Sequence, residues 1–399
     1  MTSALSQRAR ILLIVPTQQT HHEPLTVDPA RADEWASTMS GHRAGATGDR
    51  ATGSTPVRWA HADRPTTVDP GGVRRRRVTR EDHEDLFLAA GATRAEGAGN
   101  RAHEEEPDEW RTCFERDRDR ILHGTAFRRL AGKTQVFVFP DDHQRTRMTH
   151  ALEVAQVAVA ISRAVGLNVA LTEAIALGHD CGHGPGGHAS EDAFGPYVDG
   201  GYDHAVWGAD VVLEPLNLCG ETLDGIRNHS WSRPAPGTPE GEVVSWADRI
   251  AYVCHDFEDA VHAGITSADL LPPVVVERCG TRHSSQLGAL IAGVIGGVAG
   301  TGHVCMTEEM AEALAEFRQF NYDRIYMRPA SVEQSVSVIG VLRALVEYHA
   351  EQVDGAEPGS NEAFRQAVTY VGGMTDRFAF DQARDLLGWR SDDLPVGIG

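Results

Sequence analysis

Four side chains of the metal-ligand type occur in an order that suits a hydrolytic metal centre: His150, the adjacent pair His179 and Asp180, and the distant Asp248. A divalent ion that holds phosphate oxygens and activates water is bound well by mixed imidazole and carboxylate ligands, with some coordination positions left free. A single histidine beside an apolar helix face is usually a core or surface group. The conjunction of all four side chains therefore predicts a metal site.

A glycine-rich segment surrounds the histidine–aspartate pair. His183 and His188 follow His179 and Asp180 within the sequence HDCGHGPGGH (179–188). Imidazole and carboxylate groups thus crowd a segment that has few side chains to pack in a core. Folding alone does not explain this concentration, so the segment is predicted to have a functional role.

The elements that position these groups are predicted to be helices. Apolar residues repeat with helical spacing through 148–159, and Thr146 or Thr149 could cap the start, which places His150 on the first turn. A second helix is predicted over 169–177, ended by the glycines that follow. Further helices are predicted over 203–213, 242–263, 308–320 and 331–351. No stretch alternates like a strand for long, so the predicted fold is mostly α.

Six blocks of sequence carry a family resemblance. In order they are FERDRDRILHGTAFRRLAGKTQVF (114–137), TRMTHALEVAQ (146–156), HDCGHGPGGHASE (179–191), GGYDHA (200–205), IRNHS (226–230) and ADRIAYVCHDFEDA (247–260). Together they resemble the dGTP triphosphohydrolase family, with weaker similarity through FNYDRIYMRPA (320–330). The resemblance implies the HD-domain helical fold of metal-dependent phosphohydrolases.

The resemblance also implies an activity, the hydrolysis of a deoxynucleoside triphosphate (dGTP or another dNTP) at the α-phosphate to a deoxynucleoside and triphosphate. At matching positions, His150, His179, Asp180 and Asp248 would bind a divalent metal ion. Mg²⁺ or Mn²⁺ is the first expectation, with Fe²⁺ or Co²⁺ as alternatives. His204 matches the catalytic histidine of the family, and Glu191 would orient it or adjust its pKa.

Further positions carry over as substrate contacts: Gln135, Arg147, His183, His188, Arg249, Tyr252, Asp256 and Tyr326. Arg147 matches the arginine that binds the triphosphate, and His183 and His188 would face the phosphates. Tyr252 resembles the tyrosine that occupies the space of a 2′-hydroxyl, and Gln135 the glutamine that meets the 3′-hydroxyl. Asp248, Tyr252 and Asp256 stand at i, i+4 and i+8 and so share one helix face.

The glycine-rich loop departs from the family pattern. Cys181, Gly184 and Gly186 stand where Leu, Pro and Phe are usual, and Asp203 and Ala205 stand where Glu and Asn are usual. None of these changes removes a metal ligand. The smaller loop residues are expected to alter the shape of the substrate pocket and its preference among bases.

Composition predicts how the chain is divided. Residues 1–106 are rich in Thr, Ala, Gly, Arg and His with little helical periodicity, which predicts a poorly ordered N-terminal extension. The catalytic core is predicted over 107–270. Residues 271–399 are predicted to be a helical region that completes the domain and offers contacts for a homo-oligomer.

Bulk properties limit the partners and the compartment. The chain has 57 acidic and 37 basic residues and a formal charge of −20, which argues against a surface built chiefly for nucleic acid. The resemblance to the dGTP triphosphohydrolase family implies a possible regulatory partner, either a dNTP or single-stranded DNA. The 6 scattered cysteines indicate reduced thiols of a cytoplasmic protein. The longest apolar run, 287–300, is shorter than the roughly 20 residues of a membrane span, so no membrane partner is expected.

Three functions remain open at this point. The first is a dNTP triphosphohydrolase. The second is another HD-domain nucleotide phosphohydrolase, of the 5′-nucleotidase or phosphodiesterase type, which would release phosphate or a monophosphate. The third is a catalytically silent sensor of nucleotides or single-stranded DNA.

Overall fold

A computed structural model describes residues 29–39, 41–43, 58–61 and 75–395. The chain divides into two compact units, residues 1–74 and residues 75–399. In the first unit the described residues form helix α1 (Pro29–Thr38) and a short antiparallel pair of strands, β1 (His42–Arg43) and β2 (Arg58–Trp59). The rest of that unit lies outside the described residues, and so does most of the predicted N-terminal extension.

Helices dominate the second unit, which confirms the mostly α fold. They are α2 (Arg77–Phe87), α3 (Cys113–His123), α4 (Thr125–Arg129), α5 (Arg147–Val165), α6 (Val169–Gly178), α7 (Ala189–Phe194), α8 (His204–Trp207), α9 (Gly220–Arg227), α10 (Pro239–His262), α11 (Pro273–Cys279), α12 (His283–Thr301), α13 (Glu308–Asn321), α14 (Pro329–Ala350), α15 (Asn361–Gly372) and α16 (Asp376–Leu387). Two π-helical turns, Gly208–Val212 and Tyr322–Tyr326, follow α8 and α13. Single 3-10 turns occur at Leu130–Gly132, Gly195–Tyr197, Glu214–Leu216, Ala268–Leu270 and Ser391–Asp393.

The main core forms where α5, α6 and α10 pack together, with α3, α12 and α13 around them. Helix α6 begins at a capping residue, because the Asn168 side chain accepts a hydrogen bond from the Leu171 amide at 3.3 Å. Helix α10 begins in the same way, with the Thr238 hydroxyl accepting from the Gly241 amide at 3.1 Å. Each fully buried aliphatic side chain in this core contributes roughly 1.5–3 kcal/mol. The packing therefore fixes where both helices end, and with them the groups at their ends.

A second core joins α7 to the three C-terminal helices, α14, α15 and α16. Two buried polar side chains tie it to the loop after α4. The Lys133 ammonium donates to the carbonyls of His183 at 2.5 Å and Gly372 at 2.8 Å. Asp376, at the start of α16, accepts from the amides of Thr134 at 2.8 Å and Gly186 at 2.9 Å. The glycine-rich loop is thus held between the two cores.

Residues 75–106, which the sequence assigns to the N-terminal extension, contact the helical unit through several buried groups. Ala92 and Ala95, which follow α2 in the chain, are buried in the main core. The buried Glu240 carboxylate accepts from the Thr93 amide at 3.0 Å and the Thr93 hydroxyl at 2.7 Å. Arg101 forms a buried ion pair with Asp117 at 2.7 Å. Composition did not predict that this segment is folded, because polar contacts rather than regularly spaced apolar residues hold it in place.

One helix among the described residues, α12, is long and apolar enough to cross a bilayer by length and composition alone. It includes the apolar run 287–300 and packs against α5, α10 and α13. A single helix of this kind is weak evidence for a membrane span, since core helices meet the same criteria.

Candidate functional site

Three helices bring the four metal-ligand-type side chains together. His150 lies on the first turn of α5, His179 and Asp180 follow the last residue of α6, and Asp248 lies on α10. His150 Nε2 is 3.0 Å from Asp248 Oδ1 and 3.9 Å from Asp180 Oδ2. His179 Nε2 is 3.4 Å from Asp180 Oδ1 and 3.7 Å from Asp248 Oδ1.

The orientation of these groups fits a divalent ion. The His179 Nδ1–H donates to the Ala176 carbonyl at 2.7 Å, which leaves the lone pair on Nε2. Among the described residues, that buried Nε2 has no hydrogen-bond partner. Neighbouring ligands of an octahedral ion with bonds of about 2.1 Å stand about 3.0 Å apart. The His150–Asp248 separation of 3.0 Å matches this value, and the other separations, 3.4, 3.7 and 3.9 Å, are longer. These residues could therefore hold a metal ion.

The two carboxylates are ionised despite their burial. Burial raises the pKa of Asp180, but Arg147 and the histidines around it outweigh burial and hold that pKa well below its ordinary value. The pKa of Asp248 is likewise lowered, because the hydrogen bond from His150 and the charges of nearby histidines outweigh burial. Ionised carboxylates are the form that binds a cation.

Beside this cluster lies a carboxylate–imidazole pair. Glu191, on α7, places Oε1 2.9 Å from Nδ1 of His204, the first residue of α8. Burial lowers the pKa of His204, yet the hydrogen bond and charge of Glu191 outweigh burial and raise it overall. The pKa of Glu191 is lowered overall, because hydrogen bonds from His188 and His204 outweigh burial. The pair is therefore suited to hold a proton on His204.

A further histidine, His229, was not predicted as a site residue, although it lies in the block IRNHS. Its Nε2 lies 3.3 Å from His204 Nε2, and its Nδ1 lies 2.8 Å from the Ile226 carbonyl. A carbonyl only accepts, so His229 Nδ1 carries the proton there. Burial lowers the pKa of His229 to about 3, so the ring is neutral and its Nε2 accepts from His204.

A cavity of about 480 Å³ opens beside both clusters. Most predicted site residues line it: Gln135, Arg147, His150, Asp180, His188, His204, Asp248, Arg249, Tyr252, Asp256 and Tyr326. His179, His183 and Glu191 lie behind this wall. His183, predicted to face the phosphates, is buried and stacks on His204 with ring centroids 3.7 Å apart. The preceding residue, Gly182, lies so close to the start of α8 that a Cβ there would be 2.0 Å from the His204 carbonyl.

Arg147 lies where the cavity meets the metal-type cluster. It is buried, and one guanidinium nitrogen is 2.5 Å from Asp180 Oδ2. Its Nε and its other terminal nitrogen have no hydrogen-bond partner among the described residues. Gly187 lies against it with φ +64°, and a Cβ there would approach the guanidinium to 2.8 Å. The loop needs glycine at this position because a side chain would displace Arg147.

The far end of the cavity carries paired polar groups. The Tyr252 hydroxyl accepts from Arg318 Nε at 2.9 Å, and the Tyr326 hydroxyl donates to Asp256 Oδ2 at 2.5 Å. Gln135 Oε1 is buried without a partner among the described residues. Burial raises the pKa of Asp256 to about 7. This end can exchange several hydrogen bonds with a polar ligand.

Two residues at the cavity, Trp231 and Arg318, were not predicted from the sequence. Arg249 stacks on Trp231, its guanidinium carbon 3.7 Å from the ring centroid. Arg318, on α13, also lines the cavity. Trp231 follows the block IRNHS directly, and Arg318 lies two positions before FNYDRIYMRPA, so only proximity to those blocks could have suggested them.

The loop departures have a packing explanation. A Cβ on Gly186, where φ is +71°, would approach Val338 to 2.4 Å, and one on Gly184 would approach Phe194 to 2.6 Å. Helix α14 and helix α7 thus occupy the space that larger loop residues would need. The small residues leave no void, and the cavity is shaped by the helices behind the loop.

Comparison with known proteins gives the class of the chain. The model for the HD domain matches residues 147–253, and the model for a phosphohydrolase-associated domain matches residues 304–385. These matches define the class: the chain is an HD-domain protein of the phosphohydrolase type. A solved structure of a hypothetical protein from Aquifex aeolicus covers 69% of each chain at 20% identity and a TM-score of 0.44.

Curated relatives define the family more narrowly. A deoxyguanosinetriphosphate triphosphohydrolase-like protein of Caldanaerobacter subterraneus is 39% identical over 321 residues, covering 77% of this chain and 94% of the relative. A protein with the same name from Clostridium perfringens is 38% identical over 324 residues, covering 76% and 94%. The chain belongs to the family of deoxyguanosinetriphosphate triphosphohydrolase-like proteins.

Proposed function

We propose that the protein hydrolyses deoxynucleoside triphosphates at the α-phosphate and releases a deoxynucleoside and triphosphate. The observation that carries the proposal is the placement of the Glu191–His204 pair beside the His150, His179, Asp180 and Asp248 cluster, with His204 on the same cavity wall as His150 and Asp248. A proton donor next to a cation-binding cluster is the arrangement that phosphoester cleavage requires.

The metal-type cluster would hold a divalent ion, with His150, His179, Asp180 and Asp248 as its ligands. When bound, the ion neutralises charge on the phosphate and lowers the pKa of an attacking water. Mg²⁺ or Mn²⁺ is expected first, because carboxylate and imidazole donors are mixed in this set.

His204 supplies the proton. Hydrolysis by water at the α-phosphorus breaks its bond to O5′, and the departing O5′ must be protonated to leave as a deoxynucleoside. Glu191 raises the pKa of His204, so the ring holds its proton near neutral pH until the bond breaks. Water supplies the oxygen that the triphosphate gains, and the proton that this water loses replaces the one that His204 gives to O5′.

Arg147 and His188 bind the triphosphate. The two unpartnered nitrogens of Arg147 offer donors in a fixed plane, a geometry suited to phosphate oxygens. His188 is exposed and lies on the loop at the open side of the cavity. Arg249, stacked on Trp231, adds a second positive charge along the wall.

The far end of the cavity selects the sugar. The Gln135 amide oxygen, which is buried and unpartnered among the described residues, accepts from the 3′-hydroxyl. Tyr252 is held by Arg318 in the position where a 2′-hydroxyl would need space, so ribonucleotides are disfavoured. The buried donors and acceptors at this end penalise a ligand that leaves them unpaired.

The His204→Ala variant tests the assignment. We expect kcat to fall by about 10²–10⁴-fold with the bound metal retained, because His204 transfers a proton and lies outside the metal set. Asp248→Ala should lose both metal and turnover, and the exposed His303→Ala is the matched control. Metal content per chain and initial rates are measured on the same samples. Full activity of His204→Ala would contradict the proposal.

A further inference from the structure

A second group of metal-ligand-type side chains shares no member with the first. His183, His188, Glu191 and His204 each offer one ligand atom, and these atoms all lie within 4.8 Å of one another. The group spans the glycine-rich loop, α7 and the start of α8. Its position differs from that of the His150, His179, Asp180 and Asp248 cluster, although the two groups adjoin.

The distances match a small tetrahedral ion. Glu191 Oε1 lies 2.9 Å from His204 Nδ1, 3.0 Å from His188 Nδ1 and 3.8 Å from His183 Nδ1. Ligands of a tetrahedral Zn²⁺ with bonds of about 2.0–2.1 Å stand about 3.3 Å apart. The three separations bracket that value, so small side-chain movements would complete the geometry.

Neighbouring groups turn the right nitrogens toward the centre. His204 Nε2 donates to His229, as argued above, which leaves Nδ1 facing Glu191. His183 Nε2 faces Asp180 Oδ1 at 3.3 Å, which favours the proton on that side. Neither ring nitrogen of the buried His183 has a hydrogen-bond partner in the described part of the chain. Glu191 Oε1 thus lies among the Nδ1 atoms of three imidazoles, and it accepts a hydrogen bond from His204 whose proton a bound cation would replace.

We propose that His183, His188, Glu191 and His204 form a second metal site, which takes Zn²⁺ or a similar transition ion and inhibits the enzyme when it is filled. The ion replaces the proton shared between His204 Nδ1 and Glu191, and one proton is released to solvent. The inhibitory part rests on the function proposed above, because it removes the proton that His204 would donate.

The donor set explains the preference for a transition ion. Three imidazoles and one carboxylate favour Zn²⁺ over Mg²⁺, which prefers oxygen ligands. The first cluster has two imidazoles and two carboxylates and tolerates harder ions. His188, with a side chain 75% exposed, provides the route from solvent to the three less exposed ligands.

Counting bound zinc tests the site without reference to activity. The full chain and the variants His188→Ala, Asp248→Ala and Asp248→Ala/His188→Ala are titrated with Zn²⁺ by calorimetry, and bound zinc is measured by mass spectrometry after dialysis. We expect two ions in the full chain, one in each single variant and none in the double variant. His103→Ala, which removes an exposed imidazole far along the chain, is the control and should bind two.

Each contrary count has a definite meaning. One ion in the full chain, or an unchanged count and affinity in His188→Ala, would overturn the second site. In Mn²⁺-activated enzyme, the Zn²⁺ concentration for half inhibition should rise at least about tenfold in His188→Ala, measured relative to its own uninhibited rate. Turnover that Zn²⁺ does not inhibit would overturn the inhibitory role. If dNTPs are not hydrolysed at all, the proposed function fails while the zinc counts still decide the site.

Discussion

Asp256 is a buried carboxyl group that serves the cavity at a cost to the stability of the fold. Its Oδ2 accepts from Tyr326, whereas its Oδ1 has no hydrogen-bond partner among the described residues. Burial raises its pKa from 3.8 to about 7. Asp256 and Gln135 line the same cavity, which supports a role for both in binding a sugar hydroxyl.

The Asp256→Asn variant tests this burial through the pH dependence of stability. Between about pH 4 and pH 7 the unfolded chain releases this proton while the folded chain keeps it, so wild-type stability falls as pH rises through that range. Asparagine lacks this titration and still accepts from Tyr326. We expect the variant to gain stability relative to wild type between pH 5 and pH 8, by at most about 4 kcal/mol.

Urea unfolding at the two pH values measures the difference. Asp142→Asn, at an exposed position, is the matched control for the loss of one carboxylate. A stability difference between Asp256→Asn and wild type that is the same at pH 5 and pH 8 would show that Asp256 ionises normally in the folded protein.

Sequence spacing predicts spatial neighbours where the residues lie on one helix. Tyr252 and Asp256 follow Asp248 at helical intervals, and all three line the cavity. His229, Trp231 and Arg318 come from other segments, and no spacing relates them to the histidine–aspartate pair. His183 was expected at the phosphates, but its distance along the loop gave no indication that the ring turns inward onto His204.

At the scale of elements, the position of α8 depends on one close approach of backbone to backbone. A Cβ on Gly182 would lie 2.0 Å from the His204 carbonyl and 2.5 Å from the Gly208 amide. Neither group is the end of a flexible side chain. Glycine at 182 therefore sets how closely the loop approaches the helix that carries His204.

The Gly182→Ala variant should move α8 away from the metal-type cluster. A displacement of about 1 Å at a catalytic group can reduce turnover about 10²-fold, and we expect a loss of that order. Gly195→Ala is the matched control, because a Cβ there has no neighbour within 4 Å. Initial rates and thermal midpoints are measured for both. Normal turnover in Gly182→Ala would contradict the placement of His204.

Two of the predicted helices match the structure closely. The segments predicted over 169–177 and 308–320 correspond to α6 and α13 with a difference of one residue at the C-terminal end. The segment 203–213 instead divides into the short α8 and a π-helical turn, Gly208–Val212. The spacing of apolar residues does not predict this change from α-helix to π-helix, which occurs where Gly208 lies against Gly182.

For the molecule as a whole, the segment 75–106 belongs to the second unit, residues 75–399. Arg101 and Asp117 form a buried ion pair, and the amide and the hydroxyl of Thr93 donate hydrogen bonds to the Glu240 carboxylate. Sequence composition predicted poor order here because charge and glycine are frequent. The contacts that order the segment connect residues far apart in the chain, so local composition does not reveal them.

Two shortened chains test this boundary. A chain that begins at residue 107 leaves Asp117 and Glu240 buried without Arg101 and Thr93, whereas a chain that begins at residue 75 keeps both contacts. Breaking one buried ion pair costs about 3–5 kcal/mol, so we expect at least that loss in the shorter chain. Urea unfolding compares the two. Equal free energies of unfolding would show that the segment 75–106 adds nothing to the fold.

Product analysis tests the central claim most directly. The purified full chain is incubated with each dNTP, with ribonucleotides and with a mixed dNTP pool, in Mg²⁺ or Mn²⁺, and the products are separated by anion exchange. We predict equal amounts of deoxynucleoside and tripolyphosphate from dNTPs, and little from ribonucleotides. Monophosphate, pyrophosphate or orthophosphate as the product, or no turnover in any mixture, would contradict the account.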